Sequence, residues 1–325
     1  MESIRILHAS DLHIARVANL KSVADTSSSI TALFGFLRHP SFANSYDPTI
    51  LQSFAEFVNN QSSLDAILFT GDIATTGDYP DLERAHRFVE AGITFPWLSG
   101  GLMEASLDKI RKTVWIMPGN HDRLERTTLP RKFTPGCREF HNVFDDFWDE
   151  DVRAYPLLNG SDFSVAVLAA DFSLRSPKDC NPWPLNRYSQ GRAYEDILEK
   201  LESKTKNLKR GHGGPIAILW AIHFPPEYPN IHSCMKLLKS EALIRAANDC
   251  GVRAVLAGHI HKRKRYRTTA MSFEVLCAGT ATEHIPEEPN HFQILNITHT
   301  QSTFDIRLEH YEFDRRDVEF REVSS

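Results

Sequence analysis

The chain has 325 residues, 42% of them apolar and 10% aromatic, and a formal net charge of −5. That apolar share supplies a sizeable core and excludes a disordered chain, and the mildly acidic balance excludes a general attraction to nucleic acid or acidic membranes. No apolar run reaches the roughly 20 residues of a membrane-spanning helix, and the five cysteines (Cys137, Cys180, Cys234, Cys250, Cys277) are scattered, odd in number and without a C-x-x-C pair, which excludes a disulfide framework and a zinc knuckle.

A reducing compartment fits those cysteines. The opening Ile4-Arg5-Ile6-Leu7 turns polar too soon for a signal peptide, so the expected location is the cytoplasm. The length suits one domain over 1–325.

Short apolar runs are read as buried strands, and segments with helical spacing as helices. In chain order the expected elements begin with strand Ile4–His8, helix Leu51–Asn59, strand Ala66–Thr70 and helix Asp81–Ala91. Strand Val114–Met117, helix Arg138–Trp148, strand Ser164–Ala169 and helix Tyr194–Leu201 follow. Next come strand Ile216–Ile222, helix Met235–Asn248 with Gly251 as its stop, and strands Ala254–Leu256, Phe273–Cys277 and Phe292–Ile297. Thr303–Leu308 alternates and is expected as a final edge strand. Strands alternating with helices predict α/β units, and the consecutive strands after Ala254 predict mixed or antiparallel pairing. The fold class is therefore α/β, a two-sheet β-sandwich flanked by helices. Loop insertions are expected near 21–48, 92–107 and 176–191, the last carrying Pro177, Pro182, Trp183, Pro184 and Tyr188.

A metal-type residue follows five of these strands within a few positions. The segments are Asp11-Leu12-His13, Gly71-Asp72, Gly119-Asn120-His121-Asp122, His223, and Gly258-His259-Ile260-His261. Sites in α/β sheets form beyond the carboxyl ends of strands, so five such ends can converge on one cleft. In an extended D-x-H or H-x-H, residues two apart point the same way and can reach one ion. Glycine before Asp72, Asn120 and His259 permits tight turns. Oxygen and nitrogen ligands without thiolate suit Mn, Fe, Zn, Co or Ni. Alone, each piece has an ordinary reading: G-D as a turn, G-N-H-D as a loop. Asp122 reads as a turn residue or as a group that orients a ligand, and His8, His86, His141 and His299 as ordinary core or surface histidines.

The order D-x-H, G-D, G-N-H-D, H, G-H-x-H resembles the signature of calcineurin-like metallophosphoesterases, from Asp11 to His261. Ala170-Asp171-Phe172-Ser173 and Gln190-Gly191 are similar to further segments of that family. The resemblance implies a two-metal centre of divalent or mixed-valence Mn, Fe or Zn. Asp11, His13 and His261 would hold one ion, and Asn120, His223 and His259 the other. Asp72 would bridge them, and His121 would face the substrate as phosphate ligand or general acid. The implied reaction is phosphoester hydrolysis by a metal-activated hydroxide.

Gly71-Asp72-Ile73-Ala74-Thr75-Thr76-Gly77 lacks the Asp-Arg pair of the family's protein phosphatases. It looks closer to the cyclic-nucleotide and glycerophosphodiesterase-like branch, so the expected substrate is a small phosphodiester. The basic run Lys262, Arg263, Lys264, Arg265 and Arg267 leaves a metal-dependent nuclease as an alternative, against a plain solvated edge strand. A non-catalytic metal-binding scaffold is the other. Phe304 and Tyr311 would either support a dimer or complete the sandwich.

Overall fold

The computed structural model describes residues 3–15, 46–96, 102–107, 113–126, 133–179, 189–283, 289–300 and 303–324. Most of the expected insertion near 21–48 lies outside these residues, as do Pro182, Trp183, Pro184 and Tyr188.

The strands of the two main sheets are, in chain order, β1 (Ile4–Ala9), β2 (Ala66–Thr70), β3 (Thr113–Met117), β4 (Val152–Ala154), β5 (Leu158–Asn159), β6 (Ser164–Ala170) and β7 (Ile216–Ile222). They continue with β8 (Ala254–Ala257), β9 (Lys264–Tyr266), β10 (Glu274–Cys277), β11 (His291–Thr300), β12 (Thr303–Asp314) and β13 (Glu319–Val323). The helices are α1 (Pro48–Asn60), α2 (Tyr79–Glu90), α3 (Glu139–Val143), α4 (Glu195–Gly211) and α5 (Ser240–Cys250).

One sheet has the order β13-β12-β11-β1-β2-β3, the other β9-β10-β8-β7-β6-β4 with β5 beside β6. Both are mixed. β1, β2 and β3 run parallel, as do β6, β7, β8 and β10. β11 pairs antiparallel with β1 and leads into the antiparallel strands β12 and β13.

The parallel strands read as unbroken apolar runs because both of their faces are covered. In β6, Val165, Val167 and Ala169 join the core between the sheets, while Ala166, Leu168 and Ala170 join a second core under α4 and α5. β7 divides the same way, Leu219 inward and Trp220 outward, as the two-residue period of a strand requires. α1 begins with Pro48 in its first turn and Asp47 as cap, the Asp47 carboxylate accepting from Thr49 N at 2.9 Å, a sound helix start. α5 ends at Gly251 in the left-handed region, φ 63°, as expected.

Some expectations need correction. Thr303–Leu308 is not the edge: β12 continues to Asp314, and β13 covers its outer side. The turn over 314–318 is closed by Val318 N donating to the Asp314 carbonyl at 2.8 Å. It folds the chain back with no glycine or proline to announce it. Helix 235–248 begins only at Ser240, because Leu237–Leu238 pairs with Gly191–Arg192 as a short parallel ribbon. The helix expected over Arg138–Trp148 is helical only from Glu139 to Val143. Within 92–107, Ile93–Pro96 and Leu102–Ala105 pair as an antiparallel ribbon. Phe304 and Tyr311 pack partly buried against the inter-sheet core, Tyr311 stacked on Phe292.

Candidate metal centre

The carboxyl ends of five parallel strands meet at one edge of the sandwich. β1, β2 and β3 of the first sheet lead to Asp11 and His13, Asp72, and Asn120 and His121. β7 and β8 of the second lead to His223, and to His259 and His261. The two sets interlock. His223 Nδ1 faces the Thr70 carbonyl at 2.7 Å, and His259 N donates to Asp11 Oδ2 at 2.9 Å.

The backbone departs from the expected geometry. Asp11, His13, Asp72, His259 and His261 all have positive φ, between 52° and 70°. D-x-H and H-x-H therefore present their side chains from left-handed turns, not from extended strand. Such conformations cost energy for residues other than glycine and gather at functional sites. Gly71 and Gly119 allow the loops to touch. A Cβ on Gly71 would lie 2.6 Å from His223 Nδ1, and one on Gly119 would collide with the Asp72 carboxylate.

The side chains form three overlapping groups whose donor atoms lie within 4.8 Å of one another: Asp11/His13/His261, His13/Asp72/His121 and Asp72/His223/His259. Asp11 Oδ1 is 3.1 Å from His261 Nε2 and 3.9 Å from His13 Nε2. His223 Nε2 is 3.1 Å from both Asp72 Oδ2 and Asn120 Oδ1. The seven expected ligands and His121 are thus brought together, and Asp72 belongs to two groups. His121 belongs to one as well, with its backbone N on Asp72 Oδ1 at 2.8 Å and its Nδ1 on the Thr75 carbonyl at 2.8 Å.

These residues suit metal ions. Both His13 nitrogens and His259 Nε2 are buried without a hydrogen-bond partner, and Asp11 Oδ1 and Asp72 Oδ2 are buried with no partner beyond the imidazoles of the centre itself. Buried polar atoms are normally satisfied, and a cluster of unsatisfied oxygen and nitrogen donors without thiolate matches a first-row transition metal.

The electrostatics agree. Burial alone would raise the Asp72 carboxyl, but His223 and His121 hold it well below its ordinary value. Asp11 is likewise lowered against its burial, by His261 and His223. Burial opposes charge on His223 as well, yet Asp72 and Asp11 raise it to about 9. His13 and His259 are pushed down by burial, to about 4 and about 3. Asp11 and Asp72 are thus kept ionised and His13 and His259 neutral, the forms in which these groups ligate a cation.

Asp122 is both a turn residue and an orienting group. Its buried carboxylate accepts from Gly119 N and Ala74 N at 2.8 Å and from Ile73 N at 3.3 Å, tying the Asp72 loop to the Asn120 loop. Burial and the Asp72 charge push it up to about 8, against the pull of these donors. Arg123, beside it, is buried and spent on Asp171, His141 and the Cys137 carbonyl. In the basic run, Arg265 pairs with Glu274, Arg263 with Glu312, and Arg267 donates to the Met271 carbonyl. Sequence reasoning missed Glu283, whose Oε2 lies 2.6 Å from His261 Nδ1. Its only signal was that it follows the end of another parallel strand, β10, six residues on.

Among solved structures the chain is similar to a dimetal phosphatase from Danio rerio (15% identity, 99% of this chain and 98% of that one, TM-score 0.55). It is also similar to GAP50, described as the anchor in the inner membrane complex of Plasmodium (12% identity, 99% and 89%, TM-score 0.52). A third is a candidate 5'-nucleotidase from Staphylococcus aureus (11% identity, 95% of this chain, TM-score 0.54), of whose length the chain spans about half, 54%. At these identities the likeness is one of fold. No curated protein matches the sequence. The calcineurin-like phosphoesterase profile matches residues 4–263. That match spans most of the chain and takes in every strand end that carries the candidate ligands, so the chain belongs to the calcineurin-like phosphoesterase family.

Proposed function

We propose that this metallophosphoesterase is a dinuclear phosphodiesterase acting on a small phosphodiester. The observation that carries the reading is the placement of Asp72, shared by two donor groups, with His121 beside it on the more open side of the centre. Asp11, His13 and His261 would hold one Mn, Fe or Zn ion and Asn120, His223 and His259 the other, Asp72 serving both. When bound, the two cations supply Lewis-acid charge and lower the pKa of a water toward neutrality.

His121 has its own part. Its Nδ1–H is committed to the Thr75 carbonyl, so Nε2 is the nitrogen that meets the substrate. Protonated, Nε2–H donates to a phosphoryl oxygen or passes its proton to the leaving alkoxide, a role worth about 10²–10⁴ in rate. Asp122 keeps the Asp72 and Asn120 loops in register.

Two features favour a diester. The loop after β2 lacks the Asp-Arg pair of the family's protein phosphatases, and Arg123 is occupied by Asp171, so neither loop offers a free guanidinium to a doubly charged monoester. The nuclease alternative draws little support from the basic run, whose arginines are engaged within the fold.

Hydrolysis of bis-p-nitrophenyl phosphate beside p-nitrophenyl phosphate, after chelation and Mn²⁺ re-addition, tests this reading. Faster diester cleavage, lost in Asp72→Ala and His121→Ala, is the expected result. Faster monoester cleavage would overturn the substrate class. Cleavage unaffected by chelation would overturn the metal dependence.

A further inference from the structure

The loop after β10 leaves the carboxyl end of a parallel strand, as the ligand-bearing loops do. It is laced to the Asp11–His13 loop. Thr280 Oγ1 donates to the Asp11 carbonyl at 2.7 Å, Thr282 Oγ1 to the Leu12 carbonyl at 2.5 Å, and Ala281 N to the Ser10 carbonyl at 3.0 Å. Glu283 follows at once, only 5% exposed. Its main chain is held on both sides, N donating to Thr280 Oγ1 at 3.1 Å and the carbonyl accepting from Asn290 Nδ2 at 2.7 Å. Its carboxylate is thereby aimed at the centre. Oε2 lies 2.6 Å from His261 Nδ1 and 3.7 Å from His13 Nε2, and has no hydrogen-bond partner elsewhere. A buried carboxylate is costly unless it is paired, and the imidazoles of the centre are the partners within reach.

We propose that Glu283 is a positioning residue of the metal centre. It holds the His261 ring with Nδ1–H toward its carboxylate and Nε2 toward Asp11. It thereby sets the affinity of the Asp11/His13/His261 half for its ion, and not that of the half built on Asn120, His223 and His259. This rests on the dinuclear reading above.

The asymmetry between the halves is built into the fold. His223 is oriented in the other half by a backbone carbonyl, that of Thr70, which fixes the ring but carries no net charge. His261 is oriented by a carboxylate. A carboxylate behind an imidazole fixes its tautomer and raises its basicity as a ligand, and losing such a partner costs about 10–100-fold in metal affinity.

The test is calorimetric Mn²⁺ titration of the full chain after chelation, with Glu283→Ala and Glu283→Gln each placed in two backgrounds. His259→Ala disables one half and His261→Ala the other. In the His259→Ala background, Glu283→Ala is expected to weaken the remaining ion by about 10–100-fold. Glu283→Gln should weaken it less, since the amide oxygen still accepts from Nδ1–H. In the His261→Ala background neither change should move the affinity. Equal weakening in both backgrounds would mark a general loss of structure and overturn the proposal, as would no weakening in either. Should the unmodified chain take up two ions while the Glu283 variants match it, only this proposal fails. An unmodified chain that takes up no Mn²⁺ overturns the metal centre and the proposal together.

Discussion

On the proposed reading, His121 is the residue whose removal would separate chemistry from metal binding. It sits in one group with His13 and Asp72, but its ring is anchored through Nδ1 to Thr75, outside the two ligand sets. His121→Ala is expected to lower kcat by about 10²–10⁴ while metal content, read by elemental analysis, stays at the unmodified level. His8 shows a different use of histidine. It is fully buried, accepts from Gln293 Nε2 at 2.9 Å through Nδ1 and faces Thr70 Oγ1 at 2.9 Å through Nε2, so both nitrogens are used by the neutral ring. Burial lowers it to about 3, with Asp11 pulling the other way. Unfolded, it titrates near its ordinary value, so between about pH 6.5 and pH 3 the unfolded chain binds the proton that the folded chain refuses. Stability therefore falls as the pH falls through that window, with a slope from His8 of about 1.4 kcal/mol per pH unit. Urea unfolding at pH 7, 6 and 5 checks it: His8→Gln should show the flatter dependence, and an unchanged slope would mean that His8 does not set it.

At the scale of elements, the parallel strands were legible and the turns after them only partly so. Runs such as Ile216–Ile222 are apolar throughout, because each is buried on both faces, and their bounds follow directly from that pattern. The metal-type residues after β1, β2, β3, β7 and β8 were legible for the same reason: the core fixes where each strand ends. The left-handed backbone of Asp11, His13, His259 and His261 was not legible, since any short polar segment can be drawn as extended until its neighbours are known. Nor was Glu283, whose approach to His261 depends on Thr280 and Thr282 bonding to a loop some 270 residues earlier in the chain. The return of β13 onto β12 went unseen because Arg315, Arg316 and Asp317 carry no turn glycine or proline. Close packing of the ligand loops gives a sharp contrast between two glycines. Gly119→Ala would drive a methyl group into the Asp72 carboxylate, whereas Gly211 at the end of α4 has open space around it. Metal content and activity are expected to collapse in Gly119→Ala and to be unchanged in Gly211→Ala. Retained metal binding in Gly119→Ala would mean that the two loops separate without cost.

For the whole molecule, the centre is a joint between the sheets. Asp11, His13, Asp72 and Asn120 come from one sheet, and His223, His259 and His261 from the other, with the inter-sheet core beneath them. Ions bound there would favour the folded chain, which assembles their ligands, and so stabilise it by mass action, by at most about 2.7 kcal/mol per site at a hundredfold excess over Kd. Tm is expected to rise with Mn²⁺ and to fall on chelation, and the Asp72→Ala chain should respond weakly to both. On the proposed reading these seven residues hold two ions, and hydrolysis depends on the pair. Measuring bound Mn²⁺ per chain and bis-p-nitrophenyl phosphate hydrolysis together, as metal is returned to the chelated protein, checks both. Two ions per chain are expected, with activity reaching its plateau only as the second is taken up. Full activity with one ion, or with none, would contradict that reading.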